Sequence, residues 1–248
     1  MELLFDDKFL IPLLATLGAS LAVIGMQAIS NYVKDKKQKI YTATYMLDVS
    51  YRLFHSVLIV KIHTIEPHIE ATKRIIGGDE DLLSKTFLSD EFDILKSGSI
   101  SFSHLPNEYK LLVGYDDIEI IQMFHTLLYL YETDENRKHL NEFVKNNLKS
   151  THDFLSKNRE QQLDVLYTYF DLLNTLDHES NRVIVFVSGV ALPKLENYIN
   201  SRQFMFFSTS RAKENVNKIK DLLVENKGSI PEPDYMEKVR EGGIQGEL

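Results

Sequence analysis

From Phe9 to Val33 the chain runs for 25 residues, FLIPLLATLGASLAVIGMQAISNYV, without a charged side chain. A helix needs roughly 20 mostly apolar residues to cross a bilayer's hydrocarbon core, so this run predicts a membrane-spanning helix. Pro12 falls in the first turn, where a missing N–H costs little. Thr16 and Ser20 can bond back to their own helix, and Tyr32 sits where an interfacial aromatic belongs. Two rival readings are weaker. A cleaved signal peptide wants a basic start and a shorter apolar core, whereas the chain begins MELLFDDK. A buried core helix seldom stays uncharged for so long.

Past the span the pattern becomes amphipathic. Met46, Val49, Leu53, Val57 and Val60 form one stripe, and Leu47, Phe54, Leu58 and Ile65 a second. Two stripes on one helix imply burial against more than one neighbour. Nothing between Val33 and Tyr41 breaks a helix, so the span is expected to run on into this segment. Pro67 is then expected to kink or end it, and Gly77-Gly78 to stop it. Residues 79–114 lose the rhythm and read as an irregular insert, with Ile100 and Phe102 alternating with serines. Helical spacing returns at Ile118, Ile121, Phe124, Leu128 and Tyr131, after Asp116 or Asp117 as a cap. It continues through Leu140, Phe143, Val144, Leu148 and Leu155. Leu163, Leu166, Phe170 and Leu173 predict a helix after Asn158, and Val216, Ile219 and Leu223 a last one stopped near Gly228.

Two further apolar runs are too short or too interrupted to cross a membrane. Leu53 to Ile65 is broken by His55, Lys61 and His63 and reads as core. Val183 to Pro193 is uncharged for 11 residues. Its β-branched side chains favour a strand, yet no partner strand is visible, so it reads as a buried helix. The expected fold class is all-α: one N-terminal transmembrane helix (9–33) after a short external tail (1–8), then a cytosolic bundle of five to seven helices (34–228). A flexible tail (229–248) rich in proline and glycine completes the chain.

Charge sets the orientation. Lys34, Lys36, Lys37 and Lys39 follow the span and only Lys8 precedes it, so the C-terminal side should be cytoplasmic and the N-terminus outside the cell membrane. These lysines set topology and can also touch anionic headgroups. The net charge of −8 argues against a nucleic-acid partner, since phosphate binding needs basic residues. With no cysteine, disulfides, thiolate metal sites and cysteine nucleophiles are excluded. Within the span, Ala15, Gly18, Ala22 and Gly25 share one face, the spacing that lets helix backbones approach in lipid. A second copy of the chain or a partner membrane helix is the expected occupant. The same residues are also common in any spanning helix.

Catalytic and cofactor signatures are missing from the sequence. There is no phosphate-cradling glycine loop, no His-Glu-x-x-His and no Glu-x-x-His. Ser188, in FVSGV, lacks the first glycine of a nucleophile elbow. One metal candidate remains: His63, Glu66 and Glu70 share a helical face, with His68 nearby, and could hold zinc or manganese. Pro67 disturbs that register, and a solvated polar face predicts the same residues. His152-Asp153 and His178-Glu179 read as solvated positions near helix ends. Gln203 to Phe207, QFMFF, flanked by Arg202 and Arg211, is core packing or a membrane-touching patch.

Three functions follow as expectations. The first is a membrane-anchored helical interaction or assembly module without a cofactor, one variant being an oligomeric membrane effector of a defence or toxin system. The second is a membrane-tethered enzyme assembled from His55, His63, Glu66, Glu70, His125 and Asp171. The third is an accessory subunit of a larger membrane complex.

Overall fold

The computed structural model describes residues 7–79, 122, 134–148, 154, 156–201, 210–232, 234 and 235. The irregular insert, the QFMFF run, His125, His152-Asp153 and most of the segment around Ile118 to Tyr131 lie outside the described residues. Among those described every regular element is helical and no strand occurs.

Helix α1, Asp7–Val60, runs for 54 residues, about 81 Å at 1.5 Å per residue. It passes without interruption through the lysine-rich stretch, as the absence of breakers predicts. A π turn at Lys61–Ile65 joins it to α2, Glu66–Ile76. Pro67 therefore does not end the helical run. A proline ring collides with the carbonyl four residues back and leaves one N–H missing. The wider π turn absorbs both problems: the Glu66 N–H reaches back five residues to the Lys61 carbonyl. Gly77 and Gly78 stop the rod as expected. Gly78 takes φ 109°, and the Gly77 N–H donates to the Lys73 carbonyl at 3.0 Å, a left-handed helix ending that glycine adopts at least cost.

The second rod repeats this device. Helix α3, Asp134–Asn147, precedes it. Helix α4, Arg159–Phe186, passes through a π turn at Val187–Ala191 into α5, Leu192–Ser201. Again the proline, Pro193, is the second residue after the π turn, and the Leu192 N–H bonds the Val187 carbonyl. The Val183 to Pro193 stretch is thus helical, and its β-branched residues serve packing: Val183, Ile184 and Val187 are buried. π turns often mark functional sites; here each has a local cause in the proline behind it. At the start of α4 the Asn158 side chain accepts the Gln161 N–H at 2.9 Å. Asn158→Ala is expected to lower stability by about 1 kcal/mol, readable as a reduced melting temperature of the full chain in mild detergent.

Helix α6, Ser210–Glu225, and a 3-10 turn at Lys227–Ser229 complete the described elements. The two rods lie antiparallel, α2 against α4 and α1 against α5, with α6 beside α1 and α3 beside α4. Two apolar clusters result. The nearer one joins Ala43, Leu47, Phe54 and Leu58 of α1 to Val183, Ile184, Leu195, Ile199, Ala212 and Ile219. The farther one joins Val60, Ile65 and Ile75 to Leu140, Val144, Leu166, Tyr169 and Leu173. Both predicted stripes of α1 are used, because α1 has a neighbour on each side.

The first half of α1 joins neither cluster. No residue from Ile11 to Lys39 is buried, and Ile11, Leu21 and Ile29 are 67%, 68% and 65% exposed. Burial begins abruptly at Ile40. Among the described residues one helix is long and apolar enough to cross a membrane, and none of its apolar window is covered by the rest of them. A core helix of a soluble body, mostly buried, would look different.

Candidate functional site

Between the two apolar clusters lies a polar layer. On the first rod it is Lys61, set between Leu58 of one cluster and Ile65 of the other. On the second rod it is residues 177–182, between Leu176 and Val183. Helical period explains why a lysine is inside: Leu47, Phe54 and Lys61 recur every seven residues on the core side of the rod. Lys61 is 5% exposed. A buried ammonium must be paired, and this one has two carboxylates. Its Nζ lies 3.1 Å from Glu66 Oε1 and donates a short hydrogen bond to Asp177 Oδ1. In a regular helix, residues five apart point in different directions. The π turn stacks Glu66 above Lys61, so the turn required by Pro67 also builds the ion pair.

Further partners fix the carboxylates. Asn181 Nδ2 donates to Asp177 Oδ2 at 3.0 Å, and the Ser229 hydroxyl donates to Glu66 Oε2 at 2.9 Å. The Tyr235 hydroxyl lies 2.7 Å from His178 Nδ1. Burial pushes the Tyr235 hydroxyl above its ordinary value, opposed by a hydrogen bond from Asn181. Burial holds His178 below its ordinary value, and the nearby Arg182 charge adds to that. Asn181, itself buried, has a carbonyl oxygen with no hydrogen-bond partner among the described residues. Ser229, Ile230 and Tyr235 belong to the segment expected to be a flexible tail. They are tied down instead, because Ser229 and Tyr235 supply hydroxyls to the polar layer while Ile230 packs on the nearer apolar cluster.

The layer does not assemble the metal candidate. Glu66 is committed to Lys61 and Ser229, His63 and Glu70 are exposed, and among the described residues no three His, Asp or Glu are placed to hold a metal ion. The π turn is the reason, since it shifts the register that put residues 63, 66 and 70 on one face. His178-Glu179 sits in the middle of α4, half-buried, and not at a solvated helix end. The other enzyme candidates are dispersed. His55 packs on the Tyr51 ring, with centroids 5.7 Å apart, and Asp171 is exposed. The Ser188 hydroxyl donates to its own helix at the Ile184 carbonyl, 2.8 Å away, so its proton is engaged within the helix. The small residues Ala15, Gly18, Ala22 and Gly25 are all exposed. Lys34 and Lys37 are exposed, while Lys36 and Lys39 are half-covered.

In the sequence Lys61 stands out only as an interruption of an apolar run. Its seven-residue spacing from Phe54 was the available signal. The partner that completes the site, Asp177, is 116 residues away and carries no local mark.

A second buried polar pair lies in the farther cluster. His68 Nδ1 is 2.9 Å from the Tyr169 hydroxyl, and Phe143 stacks on the Tyr169 ring at 6.4 Å. Burial lowers the His68 pKa and raises that of Tyr169. The sign of the pH effect follows. The folded state holds His68 and His178 neutral below the pH at which the unfolded chain, near 6.5, begins to take up protons. Stability from these groups is therefore complete above about pH 6.5 and is lost as pH falls toward their folded values. The melting temperature of the full chain in detergent should drop between pH 7.5 and 5.5, and His68→Gln should flatten that dependence.

No family model, curated protein or solved structure matches this chain.

Proposed function

We propose that the protein is a membrane-anchored helical interaction module: one span, the N-terminus outside, and a helical body on the cytoplasmic face of the cell membrane. The observation that carries this reading is the first half of α1, uncharged, apolar and uncovered, yet continuous with the helix at the centre of the body. In water such a surface is costly, at roughly 25 cal/mol per Å² of apolar area; in hydrocarbon the cost disappears. The lysines after the span favour the stated orientation. A polar layer built from ion pairs holds the rods and the C-terminal segment in one arrangement, which suits a docking body better than a reaction centre.

The small-residue face of the span is the proposed contact for a second copy or a partner helix. A Cβ added at Gly18 or Gly25 meets nothing within 4 Å among the described residues. Gly18→Leu and Gly25→Leu should leave the body's melting temperature unchanged and shift the intact mass in mild detergent toward the monomer, because bulk there separates helix backbones. Affinity purification in detergent with mass measurement of the intact assembly tests the whole reading. A strictly monomeric, partner-free wild-type protein would end the assembly role.

A further inference from the structure

We propose that the chain from Asn226 to Tyr235 is a strap laid across the two rods, and that protonation of His178 frees its Tyr235 end while the rods stay joined. The strap leaves the end of α6 through the turn at Lys227–Ser229. It then touches both rods. The Ser229 hydroxyl donates to Glu66 Oε2 on the first rod at 2.9 Å, and Ile230 packs on the nearer apolar cluster. Farther on, the Tyr235 hydroxyl meets His178 Nδ1 on the second rod at 2.7 Å, with the two rings 5.8 Å apart and tilted by 44°. An open cleft lies between Ile230 and Pro231 of the strap and Val185, Ser188 and Gly189 of the second rod. Apolar packing therefore grips the Ile230 end more firmly than the Tyr235 end, and Tyr235 belongs to neither apolar cluster. A segment held by few apolar contacts can open without the rest of the fold.

The chemistry of the Tyr235 contact depends on proton count. The Tyr235 oxygen accepts a hydrogen bond from Asn181, which leaves its own proton for Nδ1 of a neutral His178. A protonated imidazole carries hydrogen on both nitrogens and accepts nothing. The new charge also has to sit in a partly buried layer beside Arg182, which opposes it. Asp177 favours it, but that carboxylate is already bonded to Lys61 and Asn181. Across the layer, the first rod presents Lys61, a further positive charge, and Glu66, which is bonded to Lys61 and Ser229. Release of the strap lets water reach the ring, so acid favours the released form. The attachment is complete above about pH 6.5 and is lost as pH falls through the lower value that His178 has in the closed form. The rods keep the Lys61 pair and both apolar clusters, none of which includes Tyr235.

The test uses the full chain in mild detergent. The sequence has no cysteine, so introduced thiols take nitroxide labels selectively. Labels at Asp171→Cys and Asp234→Cys read the distance from α4 to the strap by pulsed electron resonance. Labels at Asp171→Cys and Arg52→Cys read the distance between the rods. All three positions are exposed. At pH 7.5 the strap pair should give one narrow distance. At pH 5.5 a longer, broad population should grow several-fold while the rod pair stays unchanged. His178→Gln should keep the narrow strap distance at both pH values, and Tyr235→Phe should show the longer population already at pH 7.5. A narrow strap distance at both pH values without these substitutions overturns the proposal. So does a broad one at pH 7.5, a pH response that survives His178→Gln, or a rod distance that changes together with the strap. Should His178→Gln itself disturb the rod pair at pH 7.5, Tyr235→Phe decides: no longer population there means the hydroxyl does not hold the strap.

Discussion

With Leu17 and Leu21 both replaced by lysine, the protein is expected to leave the membrane pellet for the supernatant. Both side chains lie in the middle of the uncovered apolar half of α1, 53% and 68% exposed. A lysine near the centre of a spanning helix costs about 2.5–3.5 kcal/mol on the insertion scale, so the pair costs about 6 kcal/mol, on the order of 10⁴-fold in partition. Neither residue touches the apolar clusters of the body. The variant should therefore melt like the wild type once solubilised, which separates loss of anchoring from loss of folding. High-speed sedimentation of lysate reads the first, and thermal unfolding the second. Wild-type protein found free in the supernatant without detergent would refute the anchor.

The second large effect is expected at Lys61. Replacing it with methionine keeps most of the volume and removes the charge between Glu66 and Asp177. Two carboxylates then face each other across a partly buried layer, and breaking a buried pair from one side typically costs 3–5 kcal/mol. For a body of this size that lowers the melting temperature by roughly 6–20 °C. Adding Glu66→Gln and Asp177→Asn should restore part of the loss, because the penalty belongs to the unpaired charges and not to the missing lysine. If Lys61→Met melts within about 1 kcal/mol of the wild type, the layer does not hold the rods together.

These two sites differ in how far the sequence discloses them. The long apolar first helix, the two stripes of α1, the helix after Asn158 and the glycine stop were readable because each depends on neighbours a few residues away. The helical state of Val183 to Pro193 was readable by elimination, since the sequence offers no visible strand partner for it. Lys61 was not readable as a site, because its meaning depends on Asp177 on another rod. The π turns escaped too: proline announces a disturbance, but whether a helix breaks or widens is decided by the packing on both sides. Ser229 and Tyr235 lie in a segment whose prolines and glycines suggest looseness, and two hydroxyls landing on a polar layer override that composition. His63, Glu66 and Glu70 failed as a trio because the register assumed for them was that of an unbroken α-helix.

The unbroken run of α1 through the lysine stretch has one more consequence. Eighteen residues make about five whole turns, so Ala22 stands directly below Ile40 and Gly25 directly below Ala43, both inside the body's core. The face on which the span can be approached most closely is thus the face that α5 and α6 overhang. Any neighbour lying in that groove must lean outward before it reaches their underside. Inserting one residue between Val33 and Ile40 would swing the overhang by about 100° around the rod, re-aiming the body relative to the first half of α1.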